Sequence, residues 1–132
     1  MARKKKVEAP IVDVEVKKVE RKPVYVYVSG PLTTGDLCEN TNAAIIAATK
    51  LLDAGMTPFV PHLSVLWSVV AQRPYETWMR MDLDWVIRCD ILLRLPGESK
   101  GADREVDCAR QWGRTVYYDV DELVAAYHKG YG

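Results

Sequence analysis

Two carboxylates in this chain stand where a carboxylate is costly. Asp82 lies in a helical stretch from Tyr75 to about Arg88 and shares a stripe with Trp78, Trp85 and, one step round, Met81. An apolar setting disfavours the charged form, so the Asp82 pKa is expected above its ordinary value, which suits a general acid or a proton-sharing base. Its neighbour Asp84 instead has Arg80 and Arg88 four residues to either side, the spacing of exposed ion pairs. Glu105 repeats the pattern in the next helical stretch, where it lines up with Ala102, Ala109 and Trp112, while Asp103, Asp107, Arg110 and Gln111 form a solvated face. Near the start of that helix, the dipole is expected to hold Glu105 ionised. One acid kept neutral and one kept ionised is the division of labour of glycosidic-bond cleavage. The plain alternative is two carboxylates that accept buried hydrogen bonds.

Such residues need a frame, and from Pro23 onward the chain alternates strand and helix signals. Val24-Tyr25-Val26-Tyr27-Val28 is β-branched and aromatic, as in a strand buried on both faces, and ends in Ser29-Gly30-Pro31. Thr33-Thr34-Gly35 leads into a helix with Leu37, Thr41, Ala44, Ile45, Ala48, Leu51 and Leu52 on one side and Gly55 as its stop. Thr57 to Pro61 is a short second strand, and His62 to Gln72 a helical excursion. Pro74 then opens the helix to Arg88. Asp90 to Leu95 is a third strand, Gly101 to Trp112 a helix closed by Gly113, Thr115 to Tyr118 a fourth strand, and Asp119 to Tyr127 a last helix. Strands separated by helices imply right-handed crossovers and an α/β fold: a Rossmann-like (flavodoxin-like) three-layer sandwich around a mainly parallel sheet of four to five strands.

Ligands of such sheets bind beyond the carboxyl ends of the strands, where strand order reverses. The loops after Val28, Val60 and Leu95 are therefore the places to look. The first, Ser29 to Gly35, offers glycines for close backbone approach and hydroxyls for polar contact, but neither G-x-x-x-x-G-K-[ST] nor G-x-G-x-x-G occurs. The third, Pro96 to Gly101, runs into a helix N-terminus, a natural place for an anion.

Composition narrows the classes. With 132 residues, 48% of them hydrophobic, the chain can fill one core without disulfides or metals. Its 18 basic and 18 acidic side chains balance, which argues against a whole-domain grip on nucleic acid. The balance hides a basic tail or arm, residues 1–22, with a net charge of +4 against −4 for the domain at 23–132. Within that arm, Ile11 to Val16 alternates with period two, the pattern of a short extra strand. Cys38, Cys89 and Cys108 are odd in number and widely spaced, and with two histidines they spell no zinc site. The most apolar stretch, Leu63 to Ala71, is too short for a membrane span, and a cytoplasmic protein is expected.

Three segments carry a family resemblance: Tyr25 to Pro31, Met81 to Asp90, and Ser99 to Ala109. Together they resemble the nucleoside 2-deoxyribosyltransferase-like superfamily, over about residues 24 to 118. That superfamily includes base-exchanging transferases, 2-deoxynucleoside 5-monophosphate N-hydrolases and small, often phage-encoded relatives, to which the chain is most similar. The resemblance implies catalysis without cofactor or metal. It matches Glu105, in Gly-x-x-x-Glu-x-x-x-Ala, with the nucleophile that attacks the anomeric carbon, Asp82 with the acid at the leaving base, and Tyr27 with the tyrosine that orients the nucleophile. Ser99, six residues before Glu105, resembles the serine with which the nucleotide hydrolases contact phosphate, and Gly101 would add backbone donors. Gly30, Pro31, Thr33 and His62 complete the expected substrate contacts, and His62 and Arg73, near the end of the second strand, are the residues expected to compensate for departures in the first loop. Pro31 and Thr33 depart from the serine and arginine that those hydrolases carry in the first loop.

The expected activity is N-glycosidic cleavage of a nucleoside 5-monophosphate. Base exchange between nucleosides and a non-catalytic nucleotide-binding module are the alternatives. A homodimer or larger homo-oligomer is implied, the neighbouring subunit completing the site. Trp67, Trp78, Trp85 and Trp112 are expected in core or subunit contacts, and Leu63, Leu66, Trp67 and Val70 form a candidate interface.

Overall fold

The strand alternation builds two different faces from one segment. The computed structural model describes residues 21–130, and in it β1 (Tyr25–Ser29) is the central strand, flanked by β2 (Thr57–Phe59) and β3 (Ile91–Arg94), with β4 (Thr115–Tyr117) beyond β3. The order β2-β1-β3-β4 is parallel throughout. Val24, Val26, Val28, Ile91 and Leu93 face one way, onto α1 (Leu37–Ala54) and α5 (Val120–His128), with Ala44, Ala47, Leu51 and Leu123 packed over them. Tyr27 and Leu92 face the other way, onto α3 (Tyr75–Arg88) and α4 (Lys100–Gln111), among Val86, Val106 and Ala109. This is the three-layer α/β sandwich read from the sequence, with four strands.

Local chemistry sets the helix ends. Asp36 caps α1 by accepting from the Glu39 amide at 2.9 Å, and Gly55, at φ 106°, closes it in a left-handed conformation. Asp119 caps α5 through the amides of Asp121 and Glu122. Pro74 stands just before α3, and Ser99 caps α4, accepting from the Ala102 amide at 3.1 Å. Helix α4 therefore starts at Lys100, one residue before the expected Gly101.

Two expectations on burial change. The buried stripe of α1 is Ala44, Ala47, Ala48 and Leu51; Leu37, Ile45 and Leu52 lie at its exposed flank. Small side chains let α1 lie close on the sheet, and the larger ones are displaced outward. None of the four tryptophans is buried. Trp67, Trp85 and Trp112 are about half exposed. Met79 and Val86 are the buried residues of α3, so the Trp78, Asp82 and Trp85 stripe runs along the helix flank instead of into the core.

The expected helical excursion is a 3-10 turn at Pro61–Ser64 followed by α2 (Val65–Val70), which has no buried residue. The edge-on contact of Trp67 with Trp78, centroids 5.3 Å apart, ties it to α3. Among the described residues no helix is long and apolar enough to cross a membrane. The basic arm, residues 1–22, and its alternating Ile11 to Val16 stretch fall outside the described residues, apart from Arg21 and Lys22.

Candidate active site

The chain leaves β1 on one side of the sheet and returns through β3 on the other, so a crevice opens at their carboxyl ends. A cavity of about 740 Å³ fills it, walled by the loop after β1, the Pro61 turn, α2, α3 and the start of α4. Glu105 lines its floor, with 5% of its surface exposed. The Tyr27 hydroxyl donates to Glu105 Oε2, and the Ser29 hydroxyl donates to Oε1 at 2.8 Å. Both donors come from one face of β1, two residues apart, because strand side chains repeat with period two. The phenol stays neutral: burial first, then the nearby Glu105 and Asp82 charges, raise its pKa well above the ordinary value.

Asp82 lines the same cavity from α3. Loss of water pushes its pKa up to about 6. For Glu105, burial outweighs the two hydrogen bonds and the Arg94 charge, and together with the Asp82 charge it brings the pKa to about 7. That corrects the expectation of a carboxylate held ionised by the helix dipole. Glu105 is the sixth residue of α4, beyond the turn over which the dipole acts, and it is nearly dry.

Of the other residues expected at the site, Gly30, Thr33, His62, Ser99 and Gly101 line the cavity, as does Arg73. A Cβ on Gly101 would stand 3.0 Å from the Tyr75 hydroxyl and 3.1 Å from Met79 Cε, so this glycine lets α3 and α4 close at the cavity wall. Pro31 is not among the lining residues; it is buried, its ring abuts Gly97, and its carbonyl accepts from His62 Nε2–H at 2.9 Å. Having no N–H, proline has only that carbonyl to offer, and His62 takes it. Donation from Nε2 leaves Nδ1 of a neutral ring as an acceptor, and among the described residues it has no partner. Burial lowers the His62 pKa against the opposing pull of the Pro31 carbonyl, so the ring is neutral and joins the loops after β1 and β2. Ser99 Oγ already accepts from the backbone as a cap.

The sequence reading missed Ser29 and Arg94. Ser29 was within reach: it sits two residues after Tyr27 and so shares its face. Arg94 ends a strand as a lone cation in an apolar run, a signal visible in Ile91-Leu92-Leu93-Arg94-Leu95. Among the described residues no group of three or more His, Cys, Asp or Glu side chains could hold a metal ion.

The parallel sheet in this order, with a tyrosine-held glutamate at the β1–β3 crevice, is an α/β fold that has counterparts among solved 2-deoxyribosyltransferases. Solved structures bear out the fold. A 2-deoxyribosyltransferase from Bacillus psychrosaccharolyticus matches at TM-score 0.58 and 22% identity, over 70% of this chain and 69% of that one. A 2-desoxiribosyltransferase from Leishmania mexicana matches at TM-score 0.53 and 18% identity, over 71% of this chain and 62% of that one, so less than two thirds of its length is spanned. Comparison with curated proteins found no match. The chain belongs to the family described as "Domain of unknown function (DUF4406)", whose model matches residues 24–118.

Proposed function

We propose that this protein cleaves the N-glycosidic bond of a nucleoside by double displacement and transfers the sugar to a second base. The observation that carries the reading is Glu105, gripped by Tyr27 and Ser29 on the floor of an open cavity, with a second raised carboxyl, Asp82, on its wall. In the first step the Glu105 carboxylate attacks the anomeric carbon, the bond to the base nitrogen breaks, and protonated Asp82 gives its proton to the departing base. In the second, the nitrogen of an acceptor base attacks the same carbon, the ester breaks to regenerate Glu105, and Asp82 takes back a proton. Tyr27 and Ser29 hold the nucleophile in line and favour its ionised form.

The two 2-deoxyribosyltransferase neighbours favour exchange over the hydrolysis that the serine motif suggested. Hydrolysis of a nucleoside 5-monophosphate is the second reading. It is favoured by the α4 N-terminus, Lys100 and Arg73 along one cavity, a setting for a phosphate. Three free thiols suit a reducing compartment, and we assign the reaction to the cytoplasm.

The test is incubation of the purified chain with nucleosides, deoxynucleosides and their 5-monophosphates, with and without a second free base, followed by chromatography of the bases. Exchange that requires the acceptor, and is lost in Glu105→Ala with folding retained, is the expected result. Base release from monophosphates without an acceptor would assign the hydrolase. Silence across the panel, with ligand binding still visible as a thermal shift, would replace the enzyme with a binding module.

A further inference from the structure

Arg94 closes β3 with 8% of its surface exposed. A buried guanidinium must find acceptors for its donors, and this one has three: the Leu95 carbonyl on Nη1, and on Nη2 the Gly97 carbonyl at 2.9 Å and Asp103 Oδ1 at 3.1 Å. Leu95 and Gly97 belong to the connection between β3 and α4, and Asp103 to the first turn of α4. One side chain thus ties both ends of that connection to the end of the strand.

Arg94 is also the register partner of Ser29 across the parallel β1–β3 pair, and the Leu95 amide donates to the Ser29 carbonyl at 2.7 Å. Register partners present their side chains to the same sheet face, so the guanidinium lies on the side of the Ser29 hydroxyl that holds Glu105. The titratable and charged groups bearing on Glu105 are Tyr27 from β1, Asp82 from α3, Arg94 from β3 and Cys108 from its own helix. Arg94 is the one cation of that set.

We propose that Arg94 is a positioning residue of this site: its planar fork sets the β3–α4 connection and the first turn of α4 so that Glu105 faces the cavity, and its charge, on the same sheet face, acts as a counter-ion beside the Tyr27 and Ser29 hydrogen bonds. The inference rests on Glu105 as the nucleophile. The two roles separate chemically, because lysine keeps the charge but cannot hold two carbonyls and a carboxylate in one plane. Loss of the guanidinium leaves Asp103 in water rather than stranded, since its side chain is 69% exposed, so Glu105 is the buried acid that registers the missing charge.

The experiment follows Glu105 directly. Protein labelled with carbon-13 at the glutamate side-chain carboxyls is titrated by NMR as wild type, Arg94→Lys and Arg94→Met, with Glu105→Gln to assign the signal. The pH profile of base exchange is measured on the same proteins. In Arg94→Met the Glu105 midpoint is expected to move upward by about one pH unit, with the acid limb of the rate profile following it. In Arg94→Lys the midpoint is expected to stay near that of the wild type while kcat falls about tenfold or more at little-changed KM. Should Arg94→Met fail to fold, Arg94→Gln, which loses the charge but keeps an amide donor, carries the same expectation for the midpoint. An unmoved midpoint in the neutral variant overturns the counter-ion role, and an unchanged kcat in Arg94→Lys overturns the positioning role. If the wild type exchanges no base, the proposed function fails separately, and the carboxyl titration still decides the Arg94 counter-ion.

Discussion

Glu105 and Asp82 titrate as a pair, since each carboxyl is raised by loss of water and Glu105 is raised further by the Asp82 charge. Between about pH 6 and about pH 7 the pair holds one proton, mostly on Glu105, and double displacement draws on the minor form of that state in which the proton sits on Asp82. The dependence of kcat/KM on pH is therefore expected to be bell-shaped with its maximum in that interval; a profile flat from about pH 5 to about pH 9 would remove the pair from the chemistry. The same residue has a consequence for folding. Glu105 titrates near 7 in the native state against an ordinary 4.5, so its contribution to stability is fully present below 4.5 and lost as the pH rises through 7. Glu105→Gln should then be more stable than the wild type by about 2 to 3 kcal/mol at pH 8 and nearly equal to it at pH 4, as read by urea unfolding. Tyr27→Phe removes one of two donors to the nucleophile and is expected to lower kcat about tenfold to a hundredfold with KM little changed, by steady-state kinetics.

Among the elements, the connection from β3 to α4 carries the most consequence for the site. Gly97 turns it at φ 115°, and a Cβ there would lie 2.8 Å from Pro31 Cγ. Gly97→Ala therefore meets both a backbone that alanine avoids and a ring that is itself buried, and should cost about 2 kcal/mol or more in thermal melting. Gly113, at φ 69° with nothing within 4 Å of such a Cβ, separates the two effects. Gly113→Ala should cost only the conformational penalty of about 1 kcal/mol. Equal losses in the two variants would mean that the Pro31 contact relaxes without cost. Gly113 was legible in the sequence as a helix stop, because the pattern ends there. The contact of Gly97 with Pro31 was not, since it joins residues from two strand-end loops far apart in the chain.

Across the whole molecule, α2 is the part the fold does not cover. Leu63, Leu66, Trp67, Val69 and Val70 are all exposed on a segment with no charged side chain from residue 63 to 71, while Val65 and Ser68 line the cavity. We propose that a second copy of the chain covers this face, as the subunit contact expected from the sequence. An uncharged surface can pair with itself about a two-fold axis without like charges meeting. Sedimentation should give a dimer or larger for the wild type and a monomer for Leu66→Lys combined with Val70→Lys. A monomeric wild type would assign the face to another partner, and a double variant still assembled would move the interface elsewhere.

Periodicity and punctuation alone were enough for the α/β class, the order of the elements, most of their ends, and Asp82 and Glu105 as acids on mixed stripes. These are local properties, written within one or two turns of chain. Tertiary structure decided the rest. It put Tyr27 and Ser29 of β1 within hydrogen-bond reach of Glu105, more than seventy residues later in the chain. It also made Glu105 an acid of raised pKa where helix position had suggested an ionised one, because the water removed by packing outweighs a dipole that fades after the first turn. It turned the tryptophan stripe of α3 to the helix flank and drew Pro31 back from the cavity to serve His62 and Gly97. The cavity that collects these groups exists where strand order reverses, and that reversal belongs to the assembled sheet and to no segment of the chain.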